Sequence, residues 1–258
     1  MALAVDATSH VEGVTVSGTP VTVSHTCTGS NLLLYVCLSS AKTTAADVIG
    51  ATYNSVALTQ VANRVNSLAN QLQTYIFRLI NPATGSHTLA ITTDNATGDN
   101  VACGIISLSG GDQTSPESAT GNTDGISSPI TITIASAVGE LVLDAVFPNT
   151  GSGITPGAGQ TAFENATFSS RQAGASYKVG AASVTMSWTI TGGNVWTQSA
   201  VSVKPFTGGG GGADEQPYTK RTGGVVGMLG NFNKVWRKSH QVLKPTFAEC
   251  QRDWKRAA

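Results

Sequence analysis

Short runs of alternating apolar and polar residues recur through the first 206 residues of the chain. In the clearest run, 183–190, large apolar residues alternate with Ser and Thr. A period of two residues is typical of a β-strand with one buried and one solvated face, so we expect Trp188 in this run to lie in the core. A Gly-Gly-Asn turn at 192–194 leads into a second run, 195–203. The pattern therefore predicts a β-hairpin here.

Similar runs separated by Gly, Pro, Asn and Ser clusters predict about twelve strands and no helix in this part of the chain. The expected strands cover 14–16, 21–23, 32–38, two short segments within 47–58, 71–80, 87–93, 101–108, 130–134, 140–147, 161–170 and 175–179, besides the two above. We predict an N-terminal arm at 1–10 and a polar surface loop at 113–128. Residues 11–206 are predicted to form an all-β domain, a two-sheet antiparallel β-sandwich or jelly roll.

The pattern changes after residue 206. Five consecutive glycines mark 207–213 as a flexible linker. In 214–258, apolar residues recur at spacings of three, four and seven, which predicts short amphipathic helices. Because this tail is too short to build a core alone, we expect its apolar face to bind a partner. The predicted partner-binding residues are Val225, Met228, Leu229, Phe232, Val235, Trp236, Phe247 and Trp254.

Charge is distributed unevenly, although the net charge of the chain is zero. Residues 1–206 carry 6 Lys and Arg against 11 Asp and Glu, whereas residues 207–258 carry 9 against 4. A basic tail is compatible with contact to nucleic acid or an acidic membrane, and also with helices that are solvated on one face and docked on protein on the other. We favour docking, because aromatic residues of the kind that dominate protein interfaces accompany the charges.

Features that would direct the chain to a membrane or a secretory route are not evident. The first residues do not match a signal peptide, and no apolar run approaches the roughly 20 residues of a membrane span. The four cysteines have no CxxC spacing and are interpreted as reduced, packed thiols: Cys27, Cys37, Cys103 and Cys250. We therefore expect synthesis in the cytoplasm and no membrane partner.

Catalytic and metal-binding motifs are weak throughout. There is no nucleophile elbow or zinc-ligand spacing, so we predict no enzymatic activity, no cofactor and no metal. The oxygen-rich segment 94–100 has too few ligands for Ca²⁺ and is interpreted as a hairpin turn. Three acids near the 113–128 loop are interpreted as solvated charges: Asp112, Glu117 and Asp124.

Three blocks of turn and strand-edge residues carry a resemblance to a known family: 81–88 (NPATGSHT), 107–116 (SLSGGDQTSP) and 174–188, with the strand end at 203–205. Through them, residues 11–206 resemble a β-sandwich, jelly-roll-like module of tailed-bacteriophage virion proteins and bacterial surface proteins. The resemblance implies a fold rather than an activity, since the family is functionally mixed and no catalytic residue carries over.

Two functions are compatible with these observations. The first is a virion structural protein, of the capsid decoration or fibre type, with an outward sandwich and a tail that docks on capsid, portal-proximal or tail proteins. We expect such a protein to be a homo-oligomer, for example a trimer, located in the virion. The alternative is a carbohydrate-binding module that recognises host-surface glycan. Sugars would stack on exposed aromatic residues, for which the candidates are Tyr53, Tyr75, Tyr177 and Trp196.

Overall fold

The computed structural model describes residues 2–16, 19–41, 49–67, 72–93, 100–150, 153–168, 171–191 and 194–207. Every helix or strand assigned within these ranges is a β-strand, and the paired strands run antiparallel. The prediction of an all-β fold is confirmed. The predicted helical tail lies outside the described residues, as do its eight partner-binding residues from Val225 to Trp254 and the glycine run 208–212.

Seventeen strands are assigned in the described part of the chain. They are β1 (Ala4–Thr15), β2 (Val21–Cys27), β3 (Leu33–Ala41), β4 (Gly50–Tyr53), β5 (Val56–Ala57), β6 (Thr59–Val65), β7 (Leu72–Ile80), β8 (Gly85–Thr92), β9 (Asn100–Ser109), β10 (Glu117–Gly125), β11 (Ile130–Ala135), β12 (Leu141–Pro148), β13 (Thr155–Pro156), β14 (Thr161–Phe168), β15 (Arg171–Val179), β16 (Ser183–Thr189) and β17 (Trp196–Val203).

The strands form four sheets rather than the predicted two. Two five-stranded sheets, here called the central sheets, have the orders β1-β9-β3-β7-β6 and β10-β17-β12-β15-β14. Two smaller outer sheets have the orders β2-β8-β4-β5 and β11-β16-β13. Strands β1–β9 make an N-terminal sandwich and β10–β17 make a C-terminal sandwich, and the central sheets of the two sandwiches face each other. Each sandwich by itself matches the predicted two-sheet architecture.

Burial on both faces explains why strands in the middle of the central sheets have largely apolar sequences without alternation. In the N-terminal sandwich, Leu34 and Val36 pack toward the outer sheet, in a cluster with Tyr53. Their neighbours Leu33 and Tyr35 point the other way, into a cluster shared with the C-terminal sandwich. All nine residues of β3 and all eight of β12 and of β17 are buried. A strand covered on both faces has no solvated side on which polar residues could alternate.

The two sandwiches have the same topology. Replacing β1, β9, β3, β7 and β6 by β10, β17, β12, β15 and β14 converts one central sheet order into the other, and β2, β8 and β4 correspond likewise to β11, β16 and β13. The register agrees, because Leu33 pairs with Ile80 and Leu108, whereas Leu141 pairs with Val179 and Val203. The chain is therefore an internal structural repeat.

Two β-bulges occur at equivalent places in both halves. Asp6 is the extra residue of β1 opposite Leu108 and Ser107, and Ser118 is the extra residue of β10 opposite Val203 and Ser202. On the other edge strands, the extra residues are Val61 of β6 and Phe163 of β14. Counting from these bulges makes further pairs of residues equivalent: Ala62 with Glu164, Arg64 with Ala166, and Val11 with Thr123. A second bulge of β1, between Val11 and Val14, puts the two residues Glu12 and Gly13 in the place of the single residue Asp124.

The stacking of the central sheets follows a pseudo-two-fold relation. Strand β1 lies against β14, and β10, the counterpart of β1, lies against β6, the counterpart of β14. This is the arrangement of an isologous dimer, in which the same surface of each unit contacts the other. Here the two units are joined in one chain.

Several predicted boundaries and pairings are wrong. Residues 4–10 of the predicted N-terminal arm belong to β1, an edge strand paired with β9, and the loop predicted at 113–128 contains β10. The hairpin predicted over 183–203 does not form, since β16 pairs with β11 and β13 while β17 pairs with β10 and β12. In a sandwich, consecutive strands often cross from one sheet to the other, and alternation does not reveal this.

Two predictions about buried residues are confirmed. Trp188 is fully buried. Cys27, Cys37 and Cys103 are buried free thiols, whereas Cys250 lies outside the described residues. Within the described ranges there is no helix long and apolar enough to cross a membrane.

Candidate functional site

A pocket of about 230 Å³ opens at the edge of the central sheets where β1 lies against β14. His10 and Glu12 line it from β1, and residues 162–166 line it from β14. Both strands carry a bulge at this point, between Val11 and Val14 and at Phe163. Because bulges re-aim side chains at sheet edges, the local irregularity of both strands shapes the pocket.

Glu164 is the unusual residue of this pocket. Only 4 % of its surface is exposed, and neither carboxyl oxygen has a hydrogen-bond partner. Burial of the carboxyl, reinforced by the charge of Glu12, raises the pKa of Glu164 to about 8. A buried polar group without a partner costs free energy, so a hydrogen-bond donor that reached this carboxyl would stabilise it.

The close approach of β14 to the first central sheet depends on Gly104 of β9. A Cβ atom on this residue would lie 2.6 Å from the ring of Phe163 and 2.9 Å from the Cβ of Glu164. Gly104 pairs with His10 in the ladder between β9 and β1. The missing side chain therefore admits the Phe163 ring and lets Glu164 sit beside β1.

The outer part of the pocket is charged and exposed. The side chain of Glu12 is 82 % exposed, and its Oε1 lies 4.0 Å from Nε2 of His10. Together with Glu164, the pocket therefore offers two carboxyl groups and one imidazole. In the part of the chain that the structure describes, no group of three or more His, Cys, Asp and Glu residues is arranged to hold a metal ion. Carboxyl oxygens without partners are suited to accept hydrogen bonds from a donor or from an organic cation.

Other acidic residues of the β-domain accept hydrogen bonds from residues within that domain. Asp6 accepts bonds from Thr28 and Ser107, and Glu140 accepts bonds from three serines, among them Ser118 and Ser202. Asp144, completely buried, accepts four. Burial raises the pKa of Asp144, against the opposing effect of these hydrogen bonds. Such carboxylates hold strands together and are not presented to a substrate.

The aromatic residues considered for glycan binding do not form an exposed platform. Tyr53, Tyr75 and Trp196 are 0 %, 3 % and 4 % exposed, so the expectation that they stack sugars at the surface is wrong for these three. The Tyr53 hydroxyl donates to the carbonyl oxygen of His25 at 3.1 Å. Tyr177 is only partly buried, but its ring lies against Phe163 in the cluster between the central sheets. The four are core and interface residues.

The interpretation of three acids as solvated charges is also wrong for two of them. Glu117 accepts a hydrogen bond from Tyr35 and pairs with Arg78, while Asp124 pairs with Arg64. Asp112 accepts bonds from the amides of the turn that follows it. The segment 94–99, considered for Ca²⁺, lies outside the described residues.

Sequence reasoning missed Glu12 and Glu164 because each has no other acidic residue beside it in the sequence. Their signal lies in the repeat: 59–65 (TQVANRV) and 161–167 (TAFENAT) align without a gap, as do 5–11 (VDATSHV) and 117–123 (ESATGNT). Comparisons of the chain with family models, with curated proteins and with solved structures found no match.

Proposed function

We propose that this chain is a structural protein of a tailed-phage virion, of the capsid decoration or fibre type. In this proposal the double sandwich is the displayed body, and the segment after the glycine run attaches it to other virion proteins. The observation that carries the proposal is the junction at 207–213, where an acidic all-β body meets a basic tail rich in aromatic residues.

The internal bonding of the body supports a structural role over a catalytic one. Its buried acids Asp144 and Glu140 are enclosed by donors from neighbouring strands, so they stabilise strand packing. The two sandwiches are further joined by a buried hydrogen bond between Thr74 Oγ1 and Ser199 Oγ, 2.9 Å apart. A rigid unit of this kind serves as a spacer or display element without requiring a ligand.

The tail supports an attachment role on physical grounds. A glycine linker lets the body and the tail orient independently. Aromatic residues on one face of a helix contribute binding energy when a partner protein buries them. Joining of several copies in a homo-oligomer would raise avidity for a symmetric particle, since one bound tail increases the effective concentration of the next.

The test is incorporation into particles. The full chain and a form ending at residue 212 are each produced in cells that assemble the phage particles. The fraction of each form that is bound to particles is measured after density-gradient purification. We expect the shortened form to stay with unassembled protein. A matched variant, Trp236→Ala with Trp254→Ala, removes the two tryptophans of the tail and keeps every charge, and it should lose most incorporation. Normal incorporation of the shortened form would contradict the proposal.

A further inference from the structure

The β1–β14 pocket has a counterpart at the opposite edge of the central sheets, where β6 lies against β10. Arg64 donates from Nε to Oδ1 of Asp124 at 2.8 Å, and its Nη2 contacts the same oxygen. The amide and hydroxyl of Ser67 donate to Oδ2 of Asp124 at 2.7 and 2.6 Å. This edge is therefore closed by a guanidinium group bound to a carboxylate.

The pseudo-two-fold relation shows what has changed at the pocket. Glu12 belongs to the two-residue bulge that takes the place of Asp124, so an acid is kept at this edge. Ala166 takes the position of Arg64, so the cation is removed, and Glu164 replaces Ala62, so a second acid is added. The space that an arginine side chain fills at one edge is open at the other.

We propose that the β1–β14 pocket binds the guanidinium group of an arginine side chain supplied from outside the described residues. Both oxygens of Glu164 are buried and lack a partner. Once the side chain turns into the pocket that it lines, its two oxygens match the paired N–H groups of a guanidinium. Glu12, exposed at the mouth of the pocket, adds a second negative charge. The bound group would thus repeat the contact that Arg64 makes at the other edge.

Proton linkage supports this assignment. With a pKa of about 8, Glu164 is mostly protonated at neutral pH. A bound cation favours the ionised carboxylate, so binding releases a proton and strengthens as the pH rises toward 9. The other titratable groups around Glu164 are His10 and Glu12 on β1 and Cys103 on β9, and burial raises the pKa of the Cys103 thiol well above neutral.

The experiment uses ethylguanidinium as the probe and ethylammonium as its matched control. Each is titrated at about pH 8.5 into residues 1–207, which contain all four sheets, and backbone NMR shifts are recorded. We expect ethylguanidinium to shift residues of β1 and β14 with a Kd on the order of 10 mM. Ethylammonium, which lacks the planar fork of donors, should bind at least about fivefold more weakly.

Four variants make the test specific to the pocket. Glu164→Ala and Ala166→Arg should each weaken binding by about tenfold or more, the second because it restores the arginine of the other edge. Glu12→Gln changes an exposed side chain, so it keeps the fold and should weaken binding about threefold. Asp124→Asn alters only the opposite edge and should bind as the parent does. The proposal is overturned if the probe causes no shift at about 50 mM, if ethylammonium binds equally well, or if the pocket variants bind unchanged.

The same titration of the full chain identifies the source of the arginine. If the chain's own basic tail supplies it, the full chain resists the probe while residues 1–207 bind it. If another molecule supplies it, both forms bind the probe. Neither result depends on particle incorporation, so this inference and the proposed function fail or hold separately.

Discussion

Tyr35, buried in the middle of β3, donates a 2.6 Å hydrogen bond to Oε1 of Glu117 at the start of β10. Arg78 of β7 contacts the other oxygen of the same carboxylate. One acid of the C-terminal sandwich thus receives bonds from two strands of the N-terminal sandwich. Its counterpart in the repeat, Val5, packs instead in the apolar cluster between the central sheets. At this position the two edges of the pseudo-dimer have therefore diverged, one toward polar pairing and the other toward apolar packing.

We expect Tyr35→Phe to lower the free energy of unfolding by about 1–3 kcal/mol, because it removes a donor from a part-buried carboxylate. Urea denaturation at neutral pH measures this directly. Tyr177→Phe is the control. Tyr177 lies at the position equivalent to Arg78 and is only partly buried, so loss of its hydroxyl should change the free energy of unfolding by no more than about 0.5 kcal/mol. Equal stability of the two variants would show that the Tyr35–Glu117 bond contributes nothing net.

Asp144 gives a second prediction about the same fold. It accepts hydrogen bonds from the amide and hydroxyl of Ser176, from Nε1 of Trp188 at 2.8 Å and from Nε2 of Gln198 at 2.9 Å. Its counterpart in the N-terminal sandwich is Val36. Asp144→Val therefore fits the repeat in shape but leaves buried donors unpaired, and we expect a loss of about 3–5 kcal/mol.

The comparison with Asp144→Asn isolates the cause. Asparagine keeps one acceptor oxygen and similar volume, so its loss should be smaller, about 1–3 kcal/mol. Urea denaturation of the two variants measures both losses. A valine variant as stable as the parent would mean that packing, not hydrogen bonding, sets the stability of this site.

The raised pKa of Glu164 predicts that this residue makes the folded chain less stable as the pH rises, which is the opposite of the usual effect of an acidic residue. Its pKa in the folded chain is about 8, above the ordinary value of 4.5 for a glutamate carboxyl. Between these two values the folded chain binds more protons than the unfolded chain, so this group lowers the free energy of unfolding as the pH rises. Glu164→Gln abolishes this effect. The variant should match the parent near pH 4.5 and become increasingly more stable than it up to pH 8, as measured by urea denaturation across this range.

Glu140→Gln is the matched control, because its carboxyl has the opposite linkage. Burial alone would raise the pKa of Glu140, but hydrogen bonds from Ser118, Ser202 and Ser136 outweigh it and lower the pKa. Its stabilising contribution is present above pH 4.5 and is lost as the pH falls through the lower folded pKa. The Gln variant should therefore be less stable than the parent at neutral pH and approach it in acid. If both variants behaved alike, the raised pKa of Glu164 would be wrong.

Sequence pattern predicted strands best where one face is solvated. Residues of β11 alternate strictly between buried and exposed, as do most residues of β16, and both were recognised from their alternating apolar residues. Strand β10 was missed because it is an edge strand built from small and polar residues, with no large apolar side chain to mark its inner face. Strand partners could not be predicted either, because alternation gives the face of a residue and not its neighbour.

The candidate site could not be predicted from residue types alone. Glu164 has no motif around it, and its burial depends on a bulge and on Gly104 of a distant strand. The information that does exist in the sequence is comparative. Aligning the two halves places Glu164 against Ala62 and Ala166 against Arg64, and only the stacking of the two central sheets brings those differences to one edge.

The internal repeat predicts that the N-terminal sandwich alone forms a homodimer. Residues 2–112 contain β1–β9 with their own core, but separation exposes the apolar face that includes Leu33, Ile76 and Ile106. Since that face already meets a pseudo-symmetric copy, a second N-terminal sandwich can cover it in the same way. Strand β1 of each copy, with Glu12 in its bulge, would then lie against β6 of the other, which carries Arg64. Sedimentation equilibrium should show a dimer, and Ile106→Lys, which places a charge in the centre of the interface, should give a monomer. A wild-type fragment that is folded and monomeric at about 100 μM would contradict the prediction.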